Sequence, residues 1–250
     1  MKLRFDALMR MFLCTTLVCA IAMPSGMAKA QQATAAARQN NVTAIDILLE
    51  PDATMVQHAK AANARLLKNY PKGFTLGGSH APHVTMLQRY VKTADLNKVY
   101  AAAGKVFAKE NPTSWKLKAF KYAYLPDGPI GGGVIEAEPT ADLLRLQQEL
   151  IDAVAPFTVP TGTSAAFVTT PQDPEIIPLM ISYVADFVPK YSGDHYTPHV
   201  TVGVAYMDFL KAMAAEPFDT FTFSPAGASI YHIGHYGTAA KKLHTFELKH

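Results

Sequence analysis

The chain has 250 residues, 49% hydrophobic and 17% charged, with a formal net charge of +3 and two cysteines. Lys2, Arg4, Arg10 and Lys29 against Asp6 account for that whole excess, and Cys14 and Cys19 lie in the same stretch. Beyond residue 30 the sequence is therefore neutral and free of thiols. This excludes a generally basic surface for long nucleic acid, a catalytic cysteine and a thiolate metal site.

Residues 1–30 follow the order of a secretory leader: a basic start, the apolar run "MFLCTTLVCAIAM", and small residues at Ala28-Lys29-Ala30. Cleavage is expected after Ala30, giving a periplasmic or secreted protein. The apolar run is too short to span a bilayer comfortably, and no later run is long enough. Neither cysteine has the small-residue context of lipoprotein processing, so no membrane attachment is expected after cleavage. Residues 31–42 are polar and alanine-rich without periodicity, which predicts a flexible lead-in. The roughly 220 residues that remain suffice to bury a core without disulfides.

From residue 43 the pattern alternates between strand and helix. "TAIDILLEP" (43–51) predicts a buried strand ended by Pro51, and Met55, Ala59, Ala62, Leu66 and Tyr70 predict an amphipathic helix over 52–70. A strand over 83–91 and an alanine-rich helix over 94–109 follow. The segments 114–125 and 132–139, joined through Pro126-Asp127-Gly128, read as an antiparallel pair. Thr140 begins a helix over 140–154 with Leu143, Leu146 and Leu150 on one face. A proline-rich connection spans 156–178, and "PLMISYVADFV" predicts one more helix. A strand over 199–206, a short helix near 207–215 and three strands around "FDTFTFS", "GASIYHIGHYG" and "KLHTFELKH" complete the chain. No linker divides the sequence, so 43–250 is expected to be one domain of two similar lobes.

The tetrapeptide PHVT occurs twice, at Pro82–Thr85 and at Pro198–Thr201. With each residue at roughly 5% usage, a chance second copy in this length arises about once in a thousand. In an extended strand His83 and Thr85 share one face while Val84 and Met86 share the other, and His199 and Thr201 repeat the arrangement. Two such strands brought together offer two imidazoles and two hydroxyls to one pocket. That equipment suits phosphoryl transfer without a metal: one His removes a proton, the other supplies one, and the hydroxyls bond phosphate oxygens.

On these motifs the sequence resembles the 2H phosphoesterases, which include the 2′-5′ RNA ligase-like proteins and cyclic phosphodiesterases. "TAIDILLEP" is similar to the family's opening strand, and "SIYHIGHYGTAAKKLHTFEL" to its closing pair; the resemblance covers roughly 43–249 and is weakest over 156–190. It implies a bilobal α/β (α+β) fold, with two antiparallel sheets facing a central cleft and helices outside. It implies His83 and His199 as the acid/base pair, Thr85 and Thr201 as phosphate-binding hydroxyls, and no metal or other cofactor. The expected activity is hydrolysis of a 2′,3′-cyclic phosphate or a related small nucleotide or RNA-end phosphodiester, by a monomer. The alternatives are a non-catalytic nucleotide- or RNA-end-binding module and a 2′-5′ RNA ligase, the latter disfavoured by a neutral surface.

Other features read as ordinary structure. His80, His195, His232, His235 and His244 are expected at the surface or supporting the site. Pro82 and Pro198 preclude the helix that would align a metal pair with the neighbouring histidines. Gly77-Gly78 and Gly131-Gly132-Gly133 match no phosphate-binding loop and are expected to be turns. Tyr90, Tyr124 and Tyr206 are candidates to stack on a base at the cleft rim, as is Tyr231.

Overall fold

The structure, a computed structural model, describes residues 41–171 and 173–249. The expected leader and all but the end of the lead-in lie outside these residues. The described residues belong to one compact unit.

Strand β1 (Val42–Pro51) is buried along its length by alternating aliphatics on both faces, yet it carries a carboxylate, Asp46, with no exposed surface. Asp52 then accepts a hydrogen bond from the Met55 amide (3.1 Å) and starts α1 (Ala53–Asn69). Strand β2 (Val84–Lys92) and α2 (Leu96–Phe107) follow. The next strand, β3 (Leu117–Asp127), begins later than its sequence pattern suggested because Pro112–Ser114 form a 3₁₀ turn; it makes a hairpin with β4 (Ile130–Ala137). The glycines at 131–133 lie inside β4 and not in a turn. A Cβ at Gly131 would meet the Leu125 carbonyl at 2.6 Å and one at Gly133 would meet Leu66 at 2.8 Å, so close packing explains both.

Thr140 accepts from the Leu143 amide (3.2 Å) and caps α3 (Ala141–Val154). The proline-rich segment contains the two-residue β5 (Thr158–Val159) and leads to α4 (Pro178–Tyr191), with Pro178 at its first turn. Then come β6 (His199–Tyr206), α5 (Met207–Ala214), β7 (Phe221–Phe223), β8 (Pro225–Ile233) and β9 (Ala239–Phe246). Among the described residues no helix is long and apolar enough to cross a membrane.

The strands form two antiparallel sheets, ordered β5-β2-β1-β8-β9 and β6-β4-β3-β7. Each PHVT motif opens a strand, one per sheet, and each of these strands is bulged at the same place. Opposite β2, Leu48 pairs with Thr85 and Ile47 with Leu87, leaving Met86 extra; opposite β6, Val134 pairs with Thr201 and Gly133 with Gly203, leaving Val202 extra.

A bulge strands backbone polar groups, and at both sites a buried helix amide meets one. Asn63 of α1 donates to the Val202 carbonyl (2.9 Å), and Gln147 of α3 donates to the Met86 carbonyl (3.1 Å). Asn63 also donates to Phe74 O (2.9 Å) and accepts from Leu76 N (3.2 Å), while Gln147 accepts from Gly193 N (3.0 Å). Each amide interrupts an otherwise apolar helix stripe, so hydrogen bonding at the bulge explains a polar residue in the core. The helix of each half thus secures the motif strand of the other.

Candidate active site

Both histidines are fixed alike. His83 Nδ1–H donates to the Ala81 carbonyl (2.8 Å) and His199 Nδ1–H to the Thr197 carbonyl (2.7 Å), each two residues back along the chain. When neutral, each ring therefore keeps its lone pair on Nε2. His83, Thr85, His199 and Thr201 line a single small cavity of about 50 Å³, together with Leu125, Tyr183 and Tyr236 among others. The duplicated motif is thus brought together from two sheets.

The environments differ sharply on the two sides. Asp46 Oδ2 accepts from Thr85 Oγ1 (2.7 Å) and Gln88 Nε2 (2.8 Å) and lies 3.4 Å from His83 Nε2. Its other oxygen has no hydrogen-bond partner among the described residues. Burial opposes a charge on His83, but Asp46 and the Ala81 carbonyl outweigh it and its pKa is raised above the ordinary 6.5. The buried carboxylate therefore favours the protonated form of His83. For His199, burial dominates, the proximity of His83 adds to it, and the pKa is lowered despite the Thr197 carbonyl. The two imidazoles are thus shifted in opposite directions, which is the difference an acid and a base require.

Sequence reasoning missed Asp46. A signal existed: a lone carboxylate in the middle of an aliphatic strand that is buried on both faces. It also treated Thr85 and Thr201 as equivalent, whereas the Thr85 proton is committed to Asp46.

The tyrosines need correction. Tyr90 is only 1% exposed; its hydroxyl donates to the Ile181 carbonyl of α4 (2.9 Å), its ring meets Phe167 edge-on, and a Cβ on Gly162 would collide with that ring. The segment preceding and including α4 packs over this end of β2 and removes Tyr90 from any rim. Tyr206 is exposed but stands at the far end of β6 against Tyr70, and neither it nor Tyr124 lines the cavity. Tyr231 is buried on β8, its ring under Lys242. The aromatic residues at the histidines are instead Tyr183 of α4, Tyr196 and Tyr236, and the Tyr196 hydroxyl donates to the Thr85 carbonyl (2.7 Å). The backbone of Tyr236 has a positive φ of 57°, an uncommon conformation for a bulky side chain.

Three of the remaining histidines have local partners. His80 stacks on Phe74 with Nε2 3.0 Å from Asp173, His232 bonds the Ala166 carbonyl (2.8 Å), and His244 stacks on Tyr100. Among the described residues no three His, Cys, Asp or Glu side chains group as a metal site.

No family model and no curated protein matches the sequence. Solved structures do. TT0787 of Thermus thermophilus superposes with a TM-score of 0.50 at 15% identity, covering 82% of this chain and 98% of that one. The chain shares that structure's α+β fold of two antiparallel sheets and helices. E. coli LigT complexed with phosphate gives a TM-score of 0.46 at 12% identity over 84% of this chain and 99% of that chain. A structure described as a phosphoesterase gives 0.46 at 12%, over 83% and 99%. Strands β2 and β6 bring both motifs to one cavity, and α4 supplies part of its wall through Met180 and Tyr183.

Proposed function

We propose that the chain is a 2H-type phosphoesterase that hydrolyses a 2′,3′-cyclic phosphate or a related small nucleotide or RNA-end phosphodiester. It would act as a monomer, exported to the periplasm or medium by its leader, and with imidazole in place of metal chemistry. The observation that carries this reading is the convergence of both His-x-Thr pairs on one cavity, with Nδ1 tied to a carbonyl on each side.

His199 is the base. Its neutral Nε2 takes a proton from water as the water oxygen bonds to phosphorus. His83 is the acid: as the bond from phosphorus to the 2′ or 3′ oxygen breaks, its Nε2 proton passes to that oxygen, leaving a phosphomonoester and a free hydroxyl. Return of one proton from His199 to solvent and of one from solvent to His83 closes the cycle. Thr201 hydrogen-bonds a phosphate oxygen. Asp46 holds His83 charged until the proton is delivered, and the hydroxyl of Thr85 stays oriented by the same carboxylate.

The test is turnover of a panel of 2′,3′-cyclic nucleotides in EDTA by the wild type, His83→Ala and His199→Ala. Turnover that survives EDTA and is lost in both variants supports the reading. Turnover abolished by EDTA, or retained by either variant, would overturn it; nucleotide binding without turnover would indicate a binding module.

A further inference from the structure

The cavity at the histidines shares lining residues with two others. One shares Leu125, Met180, Thr201 and Tyr236 with it and extends along Ile130, Gly132 and Val204; the other shares Thr85, Leu125, Tyr183 and His199 and extends to Phe187 and Tyr191. The reacting centre therefore has an apolar chamber on one side and an aromatic one on the other. Among the residues lining all three, Asp127 is the sole carboxylate, and none is a lysine or arginine. Four large apolar side chains are markedly exposed among the described residues, and three of them, Leu125, Leu179 and Tyr191, line these chambers. Exposed apolar surface gathered at a cleft marks a surface that a ligand covers.

Charge arithmetic restricts that ligand. A site that holds several phosphate groups supplies Arg or Lys to each, because an enclosed charge without a partner is costly. Here the lining offers only His83 and His199 as bases, and His83 already faces Asp46 at 3.4 Å, leaving no lysine or arginine for a second phosphate. Helix α4 forms much of the wall through Met180, Tyr183 and Phe187, which gives the segment where the family resemblance is weakest a defined place.

Resting on the phosphoesterase reading, we infer that the cleft selects a singly charged phosphodiester with uncharged apolar or aromatic groups on both sides, and that α4 is the wall that rejects polyanionic chains.

The experiment is calorimetric titration of the purified protein with three probes: adenosine 2′,3′-cyclic phosphate, the same nucleotide carrying a 5′-phosphate, and bis(4-nitrophenyl) phosphate. Turnover of each is followed in parallel. The 5′-phosphorylated probe is expected to bind about tenfold more weakly than its parent, reflecting an unpaired charge. The nitrophenyl diester should bind at least as well as the parent. Met180→Lys, which places a cation on the α4 wall, should narrow the tenfold gap to about threefold or less. Equal or tighter binding of the 5′-phosphorylated probe, or binding of none of the three, overturns the inference. A gap that Met180→Lys leaves intact overturns the part assigned to α4. The expected binding order without turnover upholds the ligand class and defeats the phosphoesterase reading alone.

Discussion

In the first half of the molecule the strand beside the motif carries Asp46; in the second, the same register position carries Gly132. The correspondence follows from the pairing. Counting from the residue opposite each motif threonine, Leu48, Ile47 and Asp46 on β1 match Val134, Gly133 and Gly132 on β4, and across from them Gln88 matches Val204. Everything needed to aim an imidazole is common to both halves: the motif, the bulge after it, the carbonyl two residues back and a buried helix amide. What differs is the group that decides the charge. A duplicated scaffold gives two identical bases, whereas the proposed acid and base demand that the copies diverge, and Asp46 against Gly132 is a difference that shifts them apart.

The largest effects come from deleting either half's imidazole. His83→Ala and His199→Ala are each expected to lower kcat/KM by about 10²–10⁴, the usual worth of one general acid or base. The double variant should fall only slightly further than either single one, because each ring serves a step that the other cannot complete. Steady-state kinetics on a cyclic nucleotide, with circular dichroism to confirm folding, checks this; simple additivity would refute the paired mechanism.

Removing the asymmetry is expected to cost less. The proposed mechanism requires neutral His199 and protonated His83, so on that mechanism the acid limb of the pH–rate profile belongs chiefly to the lowered His199 value and the alkaline limb to the raised His83 value. Asp46→Asn removes the charge that raises His83, leaving only the Ala81 carbonyl to oppose burial. The alkaline limb should move to lower pH, and turnover near neutrality should fall by about 10–100-fold as the protonated fraction drops. Proton NMR of the two imidazoles across the titration would test it, and an unchanged alkaline limb would exclude Asp46 as the cause.

Grafting the carboxylate onto the other half is the converse change. A Cβ at Gly132 meets nothing closer than 3.8 Å, and its φ needs no glycine, so Gly132→Asp has room. It should raise the His199 value and move the acid limb to higher pH, with a loss of about tenfold near neutrality. If the limb does not move, the register correspondence between Asp46 and Gly132 fails functionally.

Much of this arrangement is legible in the sequence because it is local. His83 and Thr85 share a face by strand geometry alone, and helices at 52–70, 94–109 and 140–154 follow from their apolar spacing and, in two of them, an Asp or Thr cap. What escapes is long-range. Asp46 is 39 residues from Thr85, and only the β1–β2 register makes them neighbours. Tyr90 and Tyr206 occupy matching places seven residues after their histidines, and no local pattern says that 156–190 would fold over one and leave the other exposed. The glycines at 131–133 resemble a turn because their reason, contact with Leu125 and Leu66, lies on other elements.

The bulge amides show the same long-range logic and give the smallest effects on catalysis. Replacing Asn63 by Leu leaves the Phe74 and Val202 carbonyls and the Leu76 amide without their partner; Gln147→Leu leaves the Met86 carbonyl and the Gly193 amide. Stranded buried groups cost about 1–3 kcal/mol each at most and do not add fully, so losses of about 3 and about 2 kcal/mol are expected. Urea unfolding should rank Asn63→Leu below Gln147→Leu in stability. Below the unfolding transition both should keep turnover within about threefold, because the carbonyls that aim His83 and His199 are not touched by either amide. A variant that stayed fully folded yet lost activity would mean that the bulges themselves set the aim of the histidines, and each half's chemistry would then depend on a helix contributed by the other.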